Sequence, residues 1–156
     1  MVGFLVEGSA QENLWRAVCD FPPASDDGRS WATLKASVLL TKVLETIHRA
    51  EALGGDLGLE LAAISEAGCG IIRLYWRDEL GVSERDPTLI ANGIEELRRA
   101  VLCDGGSLVI LSAPPAIKAG VDVWGPVGNS LLLMKELKQQ FDPQRLLNPG
   151  RFVGGI

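Results

Sequence analysis

The sequence GIIRLYWR, residues 70–77, decides the fold of this 156-residue chain. Large apolar side chains occupy every second position from Ile72 to Trp76, and arginine and tyrosine stand between them. A period of two is typical of a β-strand, because successive side chains point to opposite faces of a sheet. The stretch therefore predicts a strand with one face on a core and the other face open.

Segments on both sides of this strand have a strand or a helix period of their own. Residues 31–38 and 57–63 alternate in the same way, which predicts two more strands. Residues 39–52 repeat apolar side chains every three or four positions, which predicts a helix that Gly54-Gly55 ends. Asp86 and Pro87 form an N-cap followed by proline, so they begin a second helix, and residues 107–111 form the last strand.

The order strand, helix, strand, strand, helix, strand predicts an α+β fold, the ferredoxin-like βαββαβ sandwich. In this fold two helices cover one face of a four-stranded antiparallel sheet. We expect a single domain over residues 1–156. It consists of an N-terminal extension (1–30, with a strand at 3–7 and a helix at 10–18), the ferredoxin-like core (31–113), and a long loop, C-terminal helix (130–141) and tail (114–156).

The composition limits the classes of partner. The formal net charge is −5 and the pI is near 4.9. Nucleic acids and anionic membranes bind basic protein faces, so neither is expected here. No run approaches the ~18 consecutive apolar residues of a membrane helix, and the first residues lack the basic start of a signal peptide. The sequence predicts a cytoplasmic protein that is not integral to a membrane.

No constellation of catalytic or metal-binding residues is present in the sequence. Cys19, Cys69 and Cys103 are far apart without a CxxC pair, so we interpret them as small buried side chains. His48 is the one histidine, and we expect it to be solvated or to cap a helix. Neither a nucleophile with its base nor a set of metal ligands can be assigned.

The open face of the sheet holds the candidate substrate-binding residues. If Ile72, Leu74 and Trp76 point to the helices, pleating sends a cluster of cations and a tyrosine to the other side. These residues are Lys35, Arg73, Tyr75 and Arg77. Arginine binds carboxylates through two hydrogen bonds, which suits an anionic substrate or a flavin phosphate. The alternative is a solvated or subunit-contacting face whose cations are balanced by nearby acids.

The chain closes with FDPQRLLNPGRF, residues 141–152. Pro143 cannot continue a helix, Asn148 before proline is biased to an extended or turn conformation, and Gly150 tolerates a positive φ. An ordered turn at a chain end predicts docking on another structure. The segment resembles the C-terminus of flavin-linked 2-hydroxy-acid oxidases and dehydrogenases of the vanillyl-alcohol-oxidase type. With residues 151–156 included, it is most similar to the FAD-binding E subunit of glycolate oxidase.

The resemblance implies that the chain is the cap domain of a longer protein. In this family a glycine-rich FAD domain precedes a ferredoxin-like cap that closes over the flavin. The chain contains nothing like the FAD domain, so we expect FAD in the full-length protein, none bound to this chain, and a missing N-terminal FAD domain as partner. Position by position, Asn148, Gly150 and Arg151 take the places of the cofactor contacts.

The resemblance also implies a subunit type. Catalytic relatives carry a His-rich HxGDGN-type stretch in the cap, and this sequence lacks it. The absence favours an E-type subunit that assembles with a D-type flavin subunit and an iron–sulfur subunit and is inactive alone. The alternative is a stand-alone ferredoxin-like module that binds a ligand or regulates a partner through its open sheet face.

Overall fold

The structure, a computed structural model, describes residues 6–21, 30–78 and 85–156. Its strands are β1 (Ser30–Ser37), β2 (Glu60–Glu66), β3 (Ile71–Arg77) and β4 (Ser107–Ser112). Its helices are α1 (Ser9–Cys19), α2 (Val43–Asp56), α3 (Pro87–Cys103), α4 (Pro115–Lys118) and α5 (Ser130–Phe141), with 3-10 turns at Leu40–Lys42 and Val153–Gly155. The strands form one antiparallel sheet in the order β2-β3-β1-β4, which confirms the predicted ferredoxin-like α+β fold.

The register of the sheet confirms the predicted division into two faces. Leu34 on β1 lies opposite Leu74 on β3 and Ile110 on β4, and all three are buried under α2 and α3. Lys35 lies opposite Arg73 on the other face. The apolar stripe of α3 completes the core, as the helical period predicts, through Ile90, Ile94, Leu97 and Val101. The sheet therefore has one face in the core and one face outside it.

Trp76 fills the centre of this core. Its indole Nε1 donates a hydrogen bond to the carbonyl oxygen of Ala50 in α2, 3.0 Å away, and the side chain is fully buried. Gly54, one turn along α2, provides the space for the ring: a Cβ there would lie 2.8 Å from Nε1. Gly93 of α3 provides similar space, because an added Cβ would meet Leu57 at 2.9 Å. Glycine at position 54 therefore lets α2 approach the sheet at Trp76, and glycine at position 93 lets α3 approach Leu57 at the end of α2.

The predicted end of α2 is wrong, and so is the predicted start of β2. Gly54 and Gly55 lie inside the helix, which continues to Asp56. The residue that ends it is Gly58 (φ 66°), because glycine adopts a positive φ without steric cost. Arg85 then donates to the Leu57 and Gly58 carbonyls and pairs with the buried Asp78. As a result β2 spans 60–66 and not 57–63.

The start of α3 is as predicted. The Asp86 carboxylate accepts a hydrogen bond from the backbone N–H of Thr88 at 2.8 Å, and Pro87 occupies the first turn. That N–H group lowers the pKa of the Asp86 carboxyl. Proline fits there because its missing N–H would have had no partner within the helix.

The N-terminal extension contains the predicted helix as α1. Residues 3–5 of the predicted 3–7 strand lie outside the described residues, and Val6 and Glu7 form no strand. Leu14 and Trp15 of α1 are exposed by 54% and 60%. Within the described ranges, none of the helices is long and apolar enough to cross a bilayer.

The prediction of buried cysteines is wrong. Cys19, Cys69 and Cys103 are all exposed and unbridged. Cys19 and Cys103 are the last residues of α1 and α3, and Cys69 stands in the turn between β2 and β3. At these helix ends and in this turn the side chains face solvent, although cysteine is commonly buried. His48 is exposed on α2, as expected.

Replacing Gly54 with alanine should destabilise the fold by about 1–3 kcal/mol, the usual consequence of overpacking a core. The new Cβ would displace Trp76 and weaken its bond to Ala50. Gly55→Ala is the matched control: an added Cβ there meets no atom within 4 Å. Alanine at this helical position should stabilise by about 0.5–1 kcal/mol. Urea unfolding monitored by tryptophan fluorescence measures both, and equal effects of the two variants would contradict the packing described for Trp76.

Candidate functional site

The four predicted substrate-binding residues lie together on the outer face of the sheet. Lys35 is on β1, and Arg73, Tyr75 and Arg77 follow each other at every second position of β3. Lys35 and Arg73 are directly paired across the two strands. The strand register therefore places the four predicted residues together on one face of the sheet.

Most of these side chains already have partners. Arg73 pairs with Glu66 at 3.2 Å and Arg77 with Glu60 at 3.8 Å, both acids standing on β2. Tyr75 is 3% exposed, and the ring of Phe21 meets it edge-on at 6.2 Å between centroids. Lys35 is half-buried and forms no ion pair or side-chain hydrogen bond with any described residue. On this face Lys35 is the cation best placed to meet an external anion.

The long connection after β4 is packed onto the core. Ile117 of α4 is fully buried, and the N–H of Ile110 donates to the carbonyl of Val123 at 2.8 Å. The guanidinium of Arg98 on α3 is also buried, and it donates to the carbonyls of Leu108 (3.1 Å) and Asp122 (2.6 Å). This buried arginine fastens the connection to α3 and β4.

Arg98 was not among the residues predicted from the sequence, although its position carries a signal. It follows Ile94 by four residues and precedes Val101 by three, so it falls on the apolar stripe of α3. A spacing of four residues favours a pair between Glu95 and Arg99, whereas the structure pairs Glu95 with Arg98 at 2.5 Å. A charged residue on the apolar stripe of a helix indicates a buried charge that is hydrogen-bonded or paired with other groups of the protein.

Asp142 organises the turn that follows α5. Its carboxylate accepts hydrogen bonds from the N–H groups of Leu146 (2.9 Å) and Leu147 (3.0 Å) and pairs with Lys138 at 2.6 Å. Lys138 also donates to the Leu147 carbonyl at 2.7 Å. The Lys138 hydrogen bond, with the two N–H groups after it, lowers the pKa of the Asp142 carboxyl from 3.8 to about 2. We call Lys138, Asp142 and the backbone of 146–147 the Asp142 clamp.

The Asn-Pro-Gly segment forms the predicted turn. The N–H of Arg151 donates to the carbonyl of Asn148 at 3.1 Å, with Pro149 and Gly150 at the two central positions and Gly150 at φ 70°. Asn148 itself has φ 46°, in the left-handed region and not extended, which asparagine tolerates better than most residues. The tail then returns toward α5, where a Cβ on Gly154 would lie 2.5 Å from Leu131.

Two cavities lie where the tail meets α5. Gly150 lines one of about 550 Å³, and Asn148 lines a more apolar one of about 380 Å³. Arg151 is exposed and lines neither of them. The three predicted cofactor contacts thus share one turn but face different surroundings. The cavities are lined by α5 and the tail alone, so the residues of the outer sheet face belong to a separate group.

The described residues hold no metal site: no group of three or more His, Cys, Asp or Glu side chains is arranged to bind an ion. The three residues predicted to contact a flavin offer the Asn148 amide, the Gly150 backbone and the Arg151 guanidinium as polar groups. These are donors and acceptors of the kind that hold a flavin, and a cofactor bound there would supply the redox chemistry.

Residues 124–152 match the family FAD linked oxidases, C-terminal domain. The match supports a cap domain of an FAD-linked oxidase, with FAD as the cofactor of the full protein. It begins at Trp124 and ends at Phe152, whose rings contact each other with centroids 5.8 Å apart. The contact therefore joins the two ends of the matched segment. Between them lie α5, the Asp142 clamp and the Asn148–Arg151 turn. No curated protein matches the chain.

Lowering the pH should release the Asp142 clamp. The folded carboxyl has a pKa below its ordinary value, so its contribution to stability is complete above pH 3.8 and is lost as the pH falls through about 2. In a 13C NMR titration the Asp142 carboxyl should titrate near 2, and the amide shifts of Leu146 and Leu147 should follow it.

Asp142→Asn should remove this titration and shift both amide signals already at neutral pH. Glu136→Gln, on the same helix, is the control and should leave them unchanged. Amide shifts that stay constant in Asp142→Asn would show that the carboxylate does not hold the turn.

Proposed function

We propose that the chain is the cap domain of an FAD-dependent 2-hydroxy-acid oxidoreductase of the glycolate or lactate type, most similar to the FAD-binding E-type component of glycolate oxidase. Under this proposal it works with an FAD-binding domain, a D-type flavin subunit and an iron–sulfur subunit in the cytoplasm, and it is inactive alone. The whole of 1–156 acts as one cap domain.

The observation that carries the proposal is the exposed apolar surface of the family-matched segment. Seven large apolar side chains of α5 and the tail are 45–79% exposed: Leu132, Leu133, Leu137, Phe141, Leu146, Leu147 and Phe152. Four of them, Leu137, Phe141, Leu147 and Phe152, line the cavity of about 380 Å³. Exposed apolar surface of this kind is typical of an interaction site. The Asp142 clamp holds the tail in a defined shape, which favours docking on a partner over a solvated end.

In the proposed enzyme a bound flavin would supply the redox chemistry that oxidises the 2-hydroxy acid. The chain supplies binding groups. Asn148, Gly150 and Arg151 contact the cofactor, and the surface that holds the substrate carboxylate consists of Lys35, Arg73, Tyr75 and Arg77. Lys35 provides a charge that has no ion pair among the described residues, while acids on β2 fix the orientation of the two arginines.

A second candidate is a stand-alone module whose outer sheet face is an interaction surface. The ion pairs of Arg73 and Arg77 and the cover of Phe21 over Tyr75 favour this candidate, because they leave fewer groups for a substrate. It makes a different prediction for the tail, whose removal would then leave partner binding unchanged.

Reconstitution tests the cap assignment. The chain alone should show no flavin absorbance and no turnover, whereas with the FAD-binding domain, the FAD-loaded D-type subunit and the iron–sulfur subunit it should co-elute as a complex. Removal of residues 142–156 should abolish co-elution while the core still unfolds cooperatively. Leu132→Ser with Leu147→Ser should weaken the complex, and Leu44→Ser, a 64% exposed leucine of α2, is the matched control. Stoichiometric flavin on the isolated chain, or full binding by the truncated chain, would contradict the assignment.

Lys35→Gln tests the substrate surface in the reconstituted enzyme. A hydrogen bond to a charged group contributes about 1.5–3 kcal/mol, so KM for the hydroxy acid should rise by about tenfold or more. Lys118→Gln, an exposed lysine on α4, is the control and should leave KM unchanged. An unchanged KM in Lys35→Gln would remove this face from the substrate site and favour the second candidate.

A further inference from the structure

The cavity of about 550 Å³ between α5 and the tail has a predominantly basic lining. Its charged side chains are those of Lys135, Glu136, Lys138 and Arg145. Its other walls are Gln139, Pro149, the glycines at 150, 154 and 155, and Ile156. Small-molecule sites are typically about 300–1,000 Å³, so the space suits an organic ligand better than a single inorganic ion.

Two of the three cations on this wall have no counter-charge among the described side chains. Lys138 is occupied, since it pairs with Asp142 at 2.6 Å and donates to the Leu147 carbonyl. The side chains of Lys135 and Arg145 have neither an ion pair nor a hydrogen bond with the described part of the chain. Glu136 is the single carboxylate side chain on the cavity wall. Because Lys138 is paired with Asp142, Lys135 and Arg145 remain as the cations that an external anion can meet, against one carboxylate side chain on the wall.

The backbone of Arg145 is strained. Its φ is 53°, a left-handed conformation that favours glycine and is uncommon for a residue with a Cβ atom. The turn is imposed by its neighbours: the Arg145 N–H donates to the Asp142 carbonyl at 3.0 Å, and the clamp fixes the next two residues. Glycine would satisfy the same turn without strain, and strain of this type is concentrated at ligand sites.

Glycines on the opposite wall leave the backbone accessible. Gly150 and Gly155 have φ values of 70° and 73°, and a Cβ built on either meets no atom within 4 Å. A ligand can approach this backbone closely because no side chain stands over it.

We propose that this cavity binds a small organic molecule with two or more negative oxyanion charges, held by Arg145 and Lys135. Arginine binds such groups through two parallel hydrogen bonds, and the ammonium of lysine adds a second charge. A phosphate ester and a dicarboxylate share this chemistry. The site is separate from the outer sheet face. It shares Gly150 with the proposed flavin contacts, but its test requires neither the flavin domain nor turnover.

Isothermal titration of the chain at low ionic strength tests the site with three probes: inorganic pyrophosphate, ADP and citrate. We expect saturable one-to-one binding that weakens with added salt, because surface ion pairs are screened. Binding of pyrophosphate and ADP but not citrate would identify phosphate chemistry, and the reverse would identify a carboxylate ligand. Absence of saturable binding by all three probes would overturn the proposal.

Arg145→Gly separates binding from folding. Glycine relieves the positive φ, so the variant should have an equal or higher Tm while its affinity for the binding probe falls about tenfold or more. Lys135→Gln should reduce affinity in the same direction, and Lys118→Gln should have no effect. Affinities that are unchanged in both Arg145→Gly and Lys135→Gln would show that the anion binds elsewhere and would overturn the assignment.

Discussion

The attachment of the C-terminal segment to the sheet depends on the buried guanidinium of Arg98. Removing such a charge from water is expensive unless its N–H groups are bonded. Its acceptors come from three places: the Glu95 carboxylate on α3, the Leu108 carbonyl on β4 and the Asp122 carbonyl in the connection. The guanidinium can bond to all three acceptors at once only when the connection after β4 lies across α3 and β4. Because the family match begins two residues after Asp122, Arg98 anchors the chain immediately before the matched segment.

Local patterns predicted most of the core, because each depends on one element and its immediate neighbours. Alternation placed β3 correctly, the Asp86–Pro87 pair placed the start of α3, and residues 130–141 match α5. The errors fall where contacts between residues far apart in the sequence determine the local structure. Gly54 looks like a helix terminator in sequence, but its missing Cβ makes room for Trp76, and that contact is formed only in the folded chain.

The error at Gly54 also obscured part of the candidate site. Ending α2 early moved β2 three residues toward the N-terminus and left Glu66 in a turn. In the structure β2 continues to Glu66, which lies opposite Ile71 and beside Arg73 on the outer face. The positions of the cations on this face could therefore be predicted from alternation alone, but their ion pairs with acids of β2 could not. The Asp142 clamp was predictable in part, since Lys138 and Asp142 are four residues apart, whereas its backbone hydrogen bonds require the turn itself.

The surface formed by residues 130–156 differs in charge from the rest of the chain, and this difference affects which partner can bind it. Residues 130–156 carry four basic and two acidic side chains, whereas the whole chain has a net charge of −5. Association costs about 4–15 kcal/mol, and burying one large apolar side chain returns about 1.5–3 kcal/mol. Burial of the seven exposed apolar side chains together therefore returns a free energy of the same order as the cost of association. Because the Asp142 clamp fixes the tail before contact, less ordering entropy opposes docking, and an acidic rim on the partner would complement the basic side chains around it.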